Sequence, residues 1–509
     1  MSSPKVLVLA VDAGDPDLIL EWSRDGSLPN LRTLLERGTW GHTVNPEGLF
    51  VGAVWPSFWT GLSPARHARY AYRQLQPGSY EFFVPTPHDT RGRPFWETLS
   101  EQGRRVAIVD VPKTMPASQL NGIQVVDWGT HDPEMDFATV PASLAAEIAT
   151  RFGPHPVRGC DAKGREAPEF TALRDGLLQG VALKARVAGH LLAQEPWDLF
   201  VSVFAESRCA GHQFWHVHDP THPRHNPELA RALGDPIRDV YAAIDAGIGS
   251  LLAQAGDETT VLLLASHGMG PHYDASYLLD RILAARERAE VPTRTRTTAR
   301  VLEWGWERVP LRIRQLLRPL RTRTKRHLGE AVVEPDRTSK RCFGAPNNDV
   351  YGAIRVNLVG REPHGRVRPG EEYERFCAEL EQDLLALVNM DTGRPLVKQV
   401  LRTAEVYRDA PVSHLPDLMV EWNREAPIFT IHSPKTGTIR GEYRGNRSGD
   451  HKPRGLLIAA GPALGPGRFA DPVDVRQLAP TIAALLGATL PDAELPPVPE
   501  LAPAPLTVP

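Results

Sequence analysis

Short, largely apolar runs bounded by polar or loop residues recur along the chain. They lie at residues 6–11, 105–109, 199–204, 261–265 and 455–460. Runs that are apolar at consecutive positions are typical of strands buried on both faces of a parallel sheet. Amphipathic helical patterns, such as those at residues 28–37 and 236–255, separate the runs. The alternation predicts an α/β fold with a mostly parallel central sheet and helices on both faces.

Polar side chains follow three of these runs at the point where each predicted strand ends. Asp12 comes after the first run, Glu206 after the run at 199–204, and His267 after the run at 261–265. In open α/β sheets the ligand binds outside the carboxyl ends of the strands. We therefore expect these three side chains, which are far apart in the sequence, to meet in one cleft.

The composition of the 509-residue chain is that of a globular protein with a sizeable core, since 41% of the residues are hydrophobic and 23% are charged. The net charge of -3 indicates no particular partner and gives no sign of specific nucleic-acid binding. The cysteines lack CxxC spacing, so neither a disulfide framework nor a thiolate zinc site is predicted. They are Cys160, Cys209, Cys342 and Cys377.

No stretch of the sequence approaches the roughly 20 apolar residues that span a bilayer. The apolar run near the amino terminus ends at Asp12, too early for the hydrophobic core of a signal peptide with its cleavage site. The sequence therefore predicts no transmembrane segment and a cytoplasmic location. It makes no prediction about the oligomeric state.

Changes in composition along the chain predict four parts: residues 1–274 and 346–490 as the α/β core, 275–345 as an inserted helical cap, and 491–509 as a proline-rich tail. Within the cap, residues 294–327 hold ten Arg and one Lys against two Glu, a local charge of +9. This charge indicates either a solvated face of the cap or an attractive surface for anions, acidic lipid or nucleic acid. Both interpretations stay open.

Five motifs follow one another in a characteristic order. They are Val11-Asp12, the segment 55–61 (WPSFWTG), the segment 206–212 (ESRCAGH), the segment 266–269 (SHGM) and the segment 449–451 (GDH), with further matching pieces at 64–67, 415–418 and 478–482. In this order they resemble the alkaline phosphatase superfamily, in its branch of type I phosphodiesterases and nucleotide pyrophosphatases. The resemblance runs from Lys5 to about Leu490.

The resemblance implies an alkaline-phosphatase-like fold and two metal ions, usually zinc, that bridge a phosphoryl group. It also implies a Ser or Thr at a helix amino terminus that attacks phosphorus. Asp12, His212, His267 and His451 match metal-ligand positions of the family. The implied substrate is a small anion, either a phosphate or a sulfate ester, with nucleotides included.

Three positions depart from the family pattern. Arg208 and Ser266 stand where the family has aspartates, and Val51 stands where it has the nucleophile. The first two changes make the site more positive by three formal charges, which weakens the attraction for divalent cations. We therefore expect one ion rather than two, zinc or alternatively manganese, with Glu206 as a replacement carboxylate.

Two residues are candidates for catalytic roles that the departures leave vacant. Ser57 follows Pro56, a favourable first helical residue, so its hydroxyl would lie in a first turn where an anion is stabilised. The alternative is that Ser57 only caps that helix. Arg208 is expected to bind an anionic group of the substrate in place of one cation, or else to pair with Glu206 or Asp450.

Three functions are compatible with these observations. The first is a hydrolase of phosphodiester, pyrophosphate or sulfate-ester bonds that uses an altered metal site. The second is a phosphoryl or sulfuryl transferase with one metal or none. The third is a catalytically inactive protein that binds an anion or a partner. The retained Asp12 and three histidines favour the first, because they could supply one compact metal site.

Overall fold

The computed structural model describes residues 5–287, 337–348 and 350–502. The basic segment at 294–327, and with it most of the predicted cap at 275–345, lies outside the described residues.

The strands are, in chain order, β1 (Lys5–Val11), β2 (Thr39–Val44), β3 (Gln74–Leu75), β4 (Phe82–Phe83), β5 (Val106–Val109), β6 (Gly122–Val126), β7 (Ala138–Val140), β8 (Leu199–Phe204), β9 (Thr259–Ala265), β10 (Gly268–Pro271), β11 (Cys342–Ala345), β12 (Tyr351–Val356), β13 (Val388–Asn389), β14 (Arg394–Pro395), β15 (Val397–Arg402), β16 (Leu418–Trp422), β17 (Thr430–Ser433), β18 (Gly437–Arg440), β19 (Gly449–Lys452), β20 (Gly455–Ala460), β21 (Gly467–Arg468) and β22 (Val473–Asp474).

The α-helices are α1 (Pro16–Arg24), α2 (Pro29–Arg37), α3 (Phe50–Thr60), α4 (Pro64–His67), α5 (Phe95–Glu101), α6 (Ser143–Phe152), α7 (Ala167–Leu192), α8 (Glu206–His218), α9 (Pro227–Leu233), α10 (Pro236–Ala255), α11 (Leu279–Glu287), α12 (Glu371–Leu385), α13 (Thr403–Val406) and α14 (Leu478–Leu485).

The central sheet has the strand order β21-β2-β20-β9-β1-β8-β5-β6-β7, with β22 beside β2. The run from β9 to β6 is parallel throughout, whereas β20 and β7 are antiparallel to their inner neighbours. The predicted mostly parallel α/β sheet is therefore confirmed. The strand at 455–460 forms as expected, but it runs antiparallel to β9.

Alternate residues of β1 enter two different apolar cores, one on each face of the sheet. Leu7 and Leu9 pack in a core that includes residues of α7 and α10. Val6 and Val8 pack in a core that includes residues of α3, α5 and α14. Because successive side chains of a strand point to opposite faces, a strand covered by helices on both sides has to be apolar at every position. This accounts for the uninterrupted runs in the sequence.

A second group of elements has its own apolar core outside the central sheet. Strands β11, β12, β15 and β16 form one antiparallel sheet, β13, β14, β17 and β18 form another, and both pack with α11 and α12. The predicted boundaries at 274, 345 and 490 stay a prediction. In the proline-rich end of the chain, Val498 and Leu501 are buried in the same core as α14. No helix among the described residues has both the length and the apolarity to cross a membrane.

Candidate metal-binding active site

The candidate site lies at the carboxyl edge of the three central strands. In the register of the sheet, Val11 of β1 is opposite Phe204 of β8 and Ala265 of β9. The residues that follow these three positions therefore emerge side by side. Asp12 and Ser266 are two of them, and both are fully buried.

Helix α8 begins directly after β8 and carries two candidate residues, Arg208 and His212, on one face because they are four positions apart. Strand β19 lies against this helix at two glycines. A Cβ on Gly449 would lie 2.2 Å from the carbonyl oxygen of Gly211, so only glycine permits the contact. The close approach brings the imidazole rings of His212 and His451 to a centroid distance of 4.6 Å.

A chain of short polar contacts connects His451 to Asp12. The Nδ1 atom of His451 lies 2.9 Å from Nε2 of His267, and Nδ1 of His267 lies 3.0 Å from the hydroxyl of Ser266. That hydroxyl is 3.3 Å from Oδ1 of Asp12. The structure thus brings together the four residues Asp12, His212, His267 and His451, which the sequence had indicated as metal ligands.

The carboxylate of Asp12 is occupied by donors of the protein itself. Its Oδ1 accepts a hydrogen bond from the indole Nε1 of Trp55 at 2.9 Å, and its Oδ2 lies 3.5 Å from a guanidinium nitrogen of Arg208. Burial would raise the pKa of Asp12, but Arg208, His267 and the indole outweigh burial and lower it. Asp12 is therefore an ionised group whose counter-charge is a guanidinium at the position of a family aspartate.

The hydrogen-bond directions in this chain follow from the charge of Asp12. The backbone N–H of Ala13 donates to the Ser266 hydroxyl at 3.2 Å, and the hydroxyl donates onward to the Asp12 carboxylate. Nδ1 of His267 then donates to Ser266, and Nδ1 of His451 donates to Nε2 of His267. This arrangement leaves a lone pair on Nε2 of His451. The reverse direction would leave a buried N–H there without an acceptor.

Nε2 of His451 is one of three polar atoms, called the open group here, that belong to His212, Asp450 and His451. His212 donates from Nδ1 to the carbonyl oxygen of Gly449 at 2.8 Å, so its Nε2 also carries a lone pair. Among the described residues, Nε2 of His212, Nε2 of His451 and Oδ2 of Asp450 have no hydrogen-bond partner. The ligand atoms of the three residues lie within 4.8 Å of one another.

This open group fits a divalent metal ion. Burial lowers the pKa of His212 and of His451 well below the usual range, so both rings are neutral and can ligate. Buried acceptors without a donor are costly, and a cation removes that cost. Two imidazoles and a carboxylate are the donor set of many zinc sites with an open position. The resemblance to the family implies another metal ion next to Asp12. That position does not fit an ion, because Trp55 and Arg208 already contact the Asp12 carboxylate.

The sequence analysis named Asp450 only as a possible partner of Arg208 and did not include it among the candidate ligands. Its Oδ1 accepts the backbone N–H of His451 at 2.8 Å, so the carboxylate lies close to that histidine. The acidic residue directly before a candidate histidine was the signal that was available. Asp450 also belongs to a second group of potential ligands with His272 and Asp274.

The helix that carries Ser57 begins earlier than predicted. Helix α3 starts at Phe50, with Pro56 inside it, so the premise that Ser57 lies in a first turn is wrong. The Ser57 hydroxyl is fully buried and lies 3.0 Å from Nε2 of His67. Nδ1 of His67 accepts the backbone N–H of Arg69, so Nε2 carries the proton and donates to Ser57. Ser57 is therefore a buried residue whose hydroxyl makes a structural hydrogen bond with His67.

Val51 occupies the first turn of α3. It is 6% exposed and packs in an apolar cluster with Leu49 and Tyr70. Its neighbour Phe50 places its ring 5.7 Å from the ring of His267, centroid to centroid. The start of α3 therefore adjoins the site, but it presents apolar side chains there.

Glu206, which the sequence analysis placed at the end of a strand, is the first residue of α8. Its carboxylate accepts a hydrogen bond from Nε2 of His155 at 2.9 Å. Burial raises the pKa of Glu206, but the charge of Lys184 and the contact with His155 outweigh it and lower the pKa. The structure therefore directs Glu206 toward His155, away from the open group around His212.

A cavity of about 820 Å³ lies beside α8, next to Gln213 and His216. Its charged lining consists of Lys163, Arg165, Glu166, Arg224, Glu228 and Arg444, a net charge of +2. The cavity is large enough for a small organic ligand.

Taken together, the doubly covered α/β sheet and the candidate metal-binding group at the carboxyl edge of its central strands are features of the alkaline phosphatase type of fold. The chain belongs to the type I phosphodiesterase / nucleotide pyrophosphatase family, which it matches over residues 6–442. Members of this family are metal-dependent phosphoryl hydrolases.

Among the similar solved structures, that of phosphonoacetate hydrolase supports the fold. Phosphonoacetate hydrolase from Sinorhizobium meliloti 1021, in complexes with phosphonoformate and with phosphonoacetate, is 14% identical with a TM-score of 0.51 over 96% of both chains. An inactive form of murine ectonucleotide pyrophosphatase / phosphodiesterase 5 in complex with AMP is 13% identical with a TM-score of 0.48 over 96% of both chains. No curated protein matches the sequence significantly.

Proposed function

We propose that the protein hydrolyses a phosphodiester or pyrophosphate bond of a small anionic substrate with one divalent ion, zinc or alternatively manganese. His212, Asp450 and His451 hold this ion. The observation that carries the proposal is that these three residues have ligand atoms within 4.8 Å of one another and that each has a buried polar atom without a hydrogen-bond partner among the described residues. When bound, such an ion polarises a phosphoryl oxygen and lowers the pKa of a bound water.

Arg208 binds the substrate in this proposal. Its contact with Asp12 is long, at 3.5 Å, and its Nε has no hydrogen-bond partner among the described residues. The guanidinium therefore keeps donors for a phosphoryl oxygen, which it recognises with its planar fork. Asp12 orients the guanidinium and balances its charge while the site is empty of substrate.

The substrate is a phosphorus-containing anion, and nucleotides are included. The family supports a phosphoryl substrate, and the related phosphonoacetate hydrolase binds the small anion phosphonoformate. The cavity beside α8 has an excess of basic side chains and is a candidate binding site for the leaving group of the substrate.

Water attacks phosphorus directly in this proposal. Val51 has no hydroxyl, Ser57 is fully buried against His67, and the hydroxyl of Ser266 contacts Asp12 and His267. A single attack by water inverts the configuration at phosphorus, whereas a covalent enzyme intermediate retains it. Analysis of the product from a chiral phosphorothioate ester separates the two. Retention would restore Ser57 as the candidate nucleophile.

The experiment that tests the proposal is a screen of metal-loaded protein with nitrophenyl esters. We expect release from a phosphodiester that is lost in His212→Ala and strongly reduced in Asp450→Asn. His218→Ala is the matched control, because His218 lies on the same helix but pairs with Asp235.

Other outcomes of the screen identify the alternative functions. Release from a sulfate ester alone would make the protein a sulfatase, and transfer of the phosphoryl group to an added alcohol in preference to water would make it a transferase. Tight binding of phosphate without turnover of any ester would make it an inactive binder. Each of these results would contradict the phosphodiesterase proposal.

A further inference from the structure

A second group of potential metal ligands contains sulfur and lies next to the proposed active site. It consists of His131, Cys160 and Cys209, all buried, with ligand atoms within 4.8 Å of one another. Cys209 lies within the segment 206–212, but neither it nor His131 nor Cys160 stands at a position that matches a metal ligand of the family.

The three side chains come from separate segments. His131 lies in the loop between β6 and β7, Cys160 in the loop between α6 and α7, and Cys209 in the first turn of α8. His131 is separated by 29 positions from Cys160 and by 78 positions from Cys209. This wide spacing is the reason that the cysteine pattern predicted no thiolate site.

Both sulfur atoms face the same nitrogen of His131. Nδ1 lies 2.9 Å from Sγ of Cys209 and 3.5 Å from Sγ of Cys160. Both thiols are free, so no disulfide removes them. One lone pair accepts one hydrogen bond, so at most one of the two thiols donates to Nδ1.

The other nitrogen of His131 is held by a carboxylate. Nε2 lies 3.2 Å from Oδ2 of Asp132. The negative charge of Asp132 favours a proton on Nε2, so Nδ1 is the nitrogen that is left to ligate, as in histidines that lie beside carboxylates around zinc.

The distances suit a tetrahedral ion. Ligands at about 2.0 Å for nitrogen and 2.3 Å for sulfur lie about 3.6 Å apart around tetrahedral zinc. The contact of 3.5 Å is close to this value, and the contact of 2.9 Å would have to lengthen by about 0.7 Å when the ion binds.

We propose that Nδ1 of His131 and the thiolates of Cys160 and Cys209 bind a zinc ion. On binding, the two thiols release their protons to solvent, and two thiolates with one imidazole form a donor set that favours zinc over magnesium or calcium. The site differs from the family's metal positions, which use aspartate and histidine. Its existence does not depend on the proposed hydrolase activity.

The proposed zinc ion joins two loops to the first turn of α8. The ring of His131 lies 5.5 Å from the ring of His212, centroid to centroid. An ion there consequently holds the loop with His131 against the helix that carries Arg208 and His212. We expect it to stabilise this edge of the sheet whether or not the neighbouring imidazole group is loaded.

Cobalt substitution tests the proposal. Cobalt bound to thiolate gives a sulfur-to-metal charge-transfer band in the near ultraviolet, which imidazole and carboxylate ligands do not give. We expect the band in the full-length protein and its loss in Cys160→Ser and Cys209→Ser. Cys377→Ser is the matched control, because Cys377 is a buried thiol in the core of the second group of elements.

X-ray absorption on the zinc-loaded unmodified protein gives an answer that does not depend on the folding of variants. We expect sulfur scatterers at about 2.3 Å from zinc. Absence of the cobalt band together with a zinc shell of only nitrogen and oxygen would overturn the proposal, and so would a disulfide between Cys160 and Cys209 in freshly purified protein. Loss of esterase activity alone would not bear on it, since a failure of the hydrolase proposal leaves the sulfur shell unchanged.

Discussion

Replacement of Arg208 by alanine is expected to change substrate turnover and metal affinity in opposite directions. The guanidinium is buried, lies 3.5 Å from Asp12, and lowers the pKa of His212 and of His451. It therefore acts on the same space in which His212, Asp450 and His451 are proposed to hold a cation. The same charge that attracts a phosphoryl group repels the ion.

The magnitudes follow from two estimates. A hydrogen bond to a charged group contributes about 1.5–3 kcal/mol, so loss of the guanidinium should lower kcat/KM by about tenfold to a hundredfold. We take the guanidinium of Arg208 and a divalent ion to be roughly 7 Å apart. Their charges then repel by ~1 kcal/mol in water and by ~5 kcal/mol at an effective dielectric constant of 20. Arg208→Ala should therefore bind zinc about tenfold more tightly or better.

The assay combines steady-state kinetics on the phosphodiester with a zinc titration against a competing chelator. Arg208→Lys keeps the charge but loses the fork, so it should lose turnover with little gain in metal affinity. Arg66→Ala serves as control, because Arg66 is an exposed arginine paired with Glu494. A variant with a lower melting temperature, unchanged zinc affinity and normal kinetics in its folded fraction would refute the reasoning and leave Arg208 as a structural counter-ion of Asp12.

Three further predictions concern individual side chains. Asp450→Asn should weaken zinc binding by tenfold or more with little change in melting temperature, because it removes one anionic ligand, and equal affinity in the chelator titration would remove Asp450 from the site. Ser57→Ala should keep kcat and lower the melting temperature, since it deletes only a buried hydrogen bond to His67 of about 1 kcal/mol; a variant that folds normally but is inactive would contradict this. Gly449→Ala should destabilise the protein by about 1–3 kcal/mol in urea denaturation, because the new methyl group meets the Gly211 carbonyl, and unchanged stability would mean that β19 can move away from α8 freely.

The central sheet could be predicted from the sequence because burial on both faces leaves an unambiguous pattern. Residues 6–11 of β1 and each position of β8 are buried, and the predicted runs match the strands to within a residue or two. Because Asp12 and His267 each follow a predicted strand of this parallel sheet, they could be placed at the same carboxyl edge without any contact information. The antiparallel direction of β20 could not be predicted, since an apolar run carries no sign of its orientation.

The parts of the site that the sequence did not indicate depend on tertiary contacts. The start of α3 was misplaced because Pro56 is a typical first helical residue, whereas the apolar segment before it is made helical by burial. Glu206 was assigned to the site because it follows the run at 199–204, but it is the first residue of α8 and its carboxylate contacts His155. Asp450, and the group formed by His131, Cys160 and Cys209, were not indicated because their segments are far apart in the sequence and meet only in the folded chain.

The three departures from the family pattern are physically coupled. With Arg208 opposite Asp12, the first carboxylate of the family site already has a positive partner, so a cation at that position would be redundant. The loss of the second aspartate follows, because Ser266 now only relays a hydrogen bond between Asp12 and His267. A hydroxyl nucleophile at Val51 would then have no adjacent cation to lower its pKa, and an unactivated hydroxyl is a poor nucleophile. The apolar side chain there packs against Leu49 and Tyr70 instead, and the remaining ion position moves toward Asp450. One substitution in the cleft thus makes the other two tolerable, and the direct attack of water that we propose is the chemistry compatible with all three.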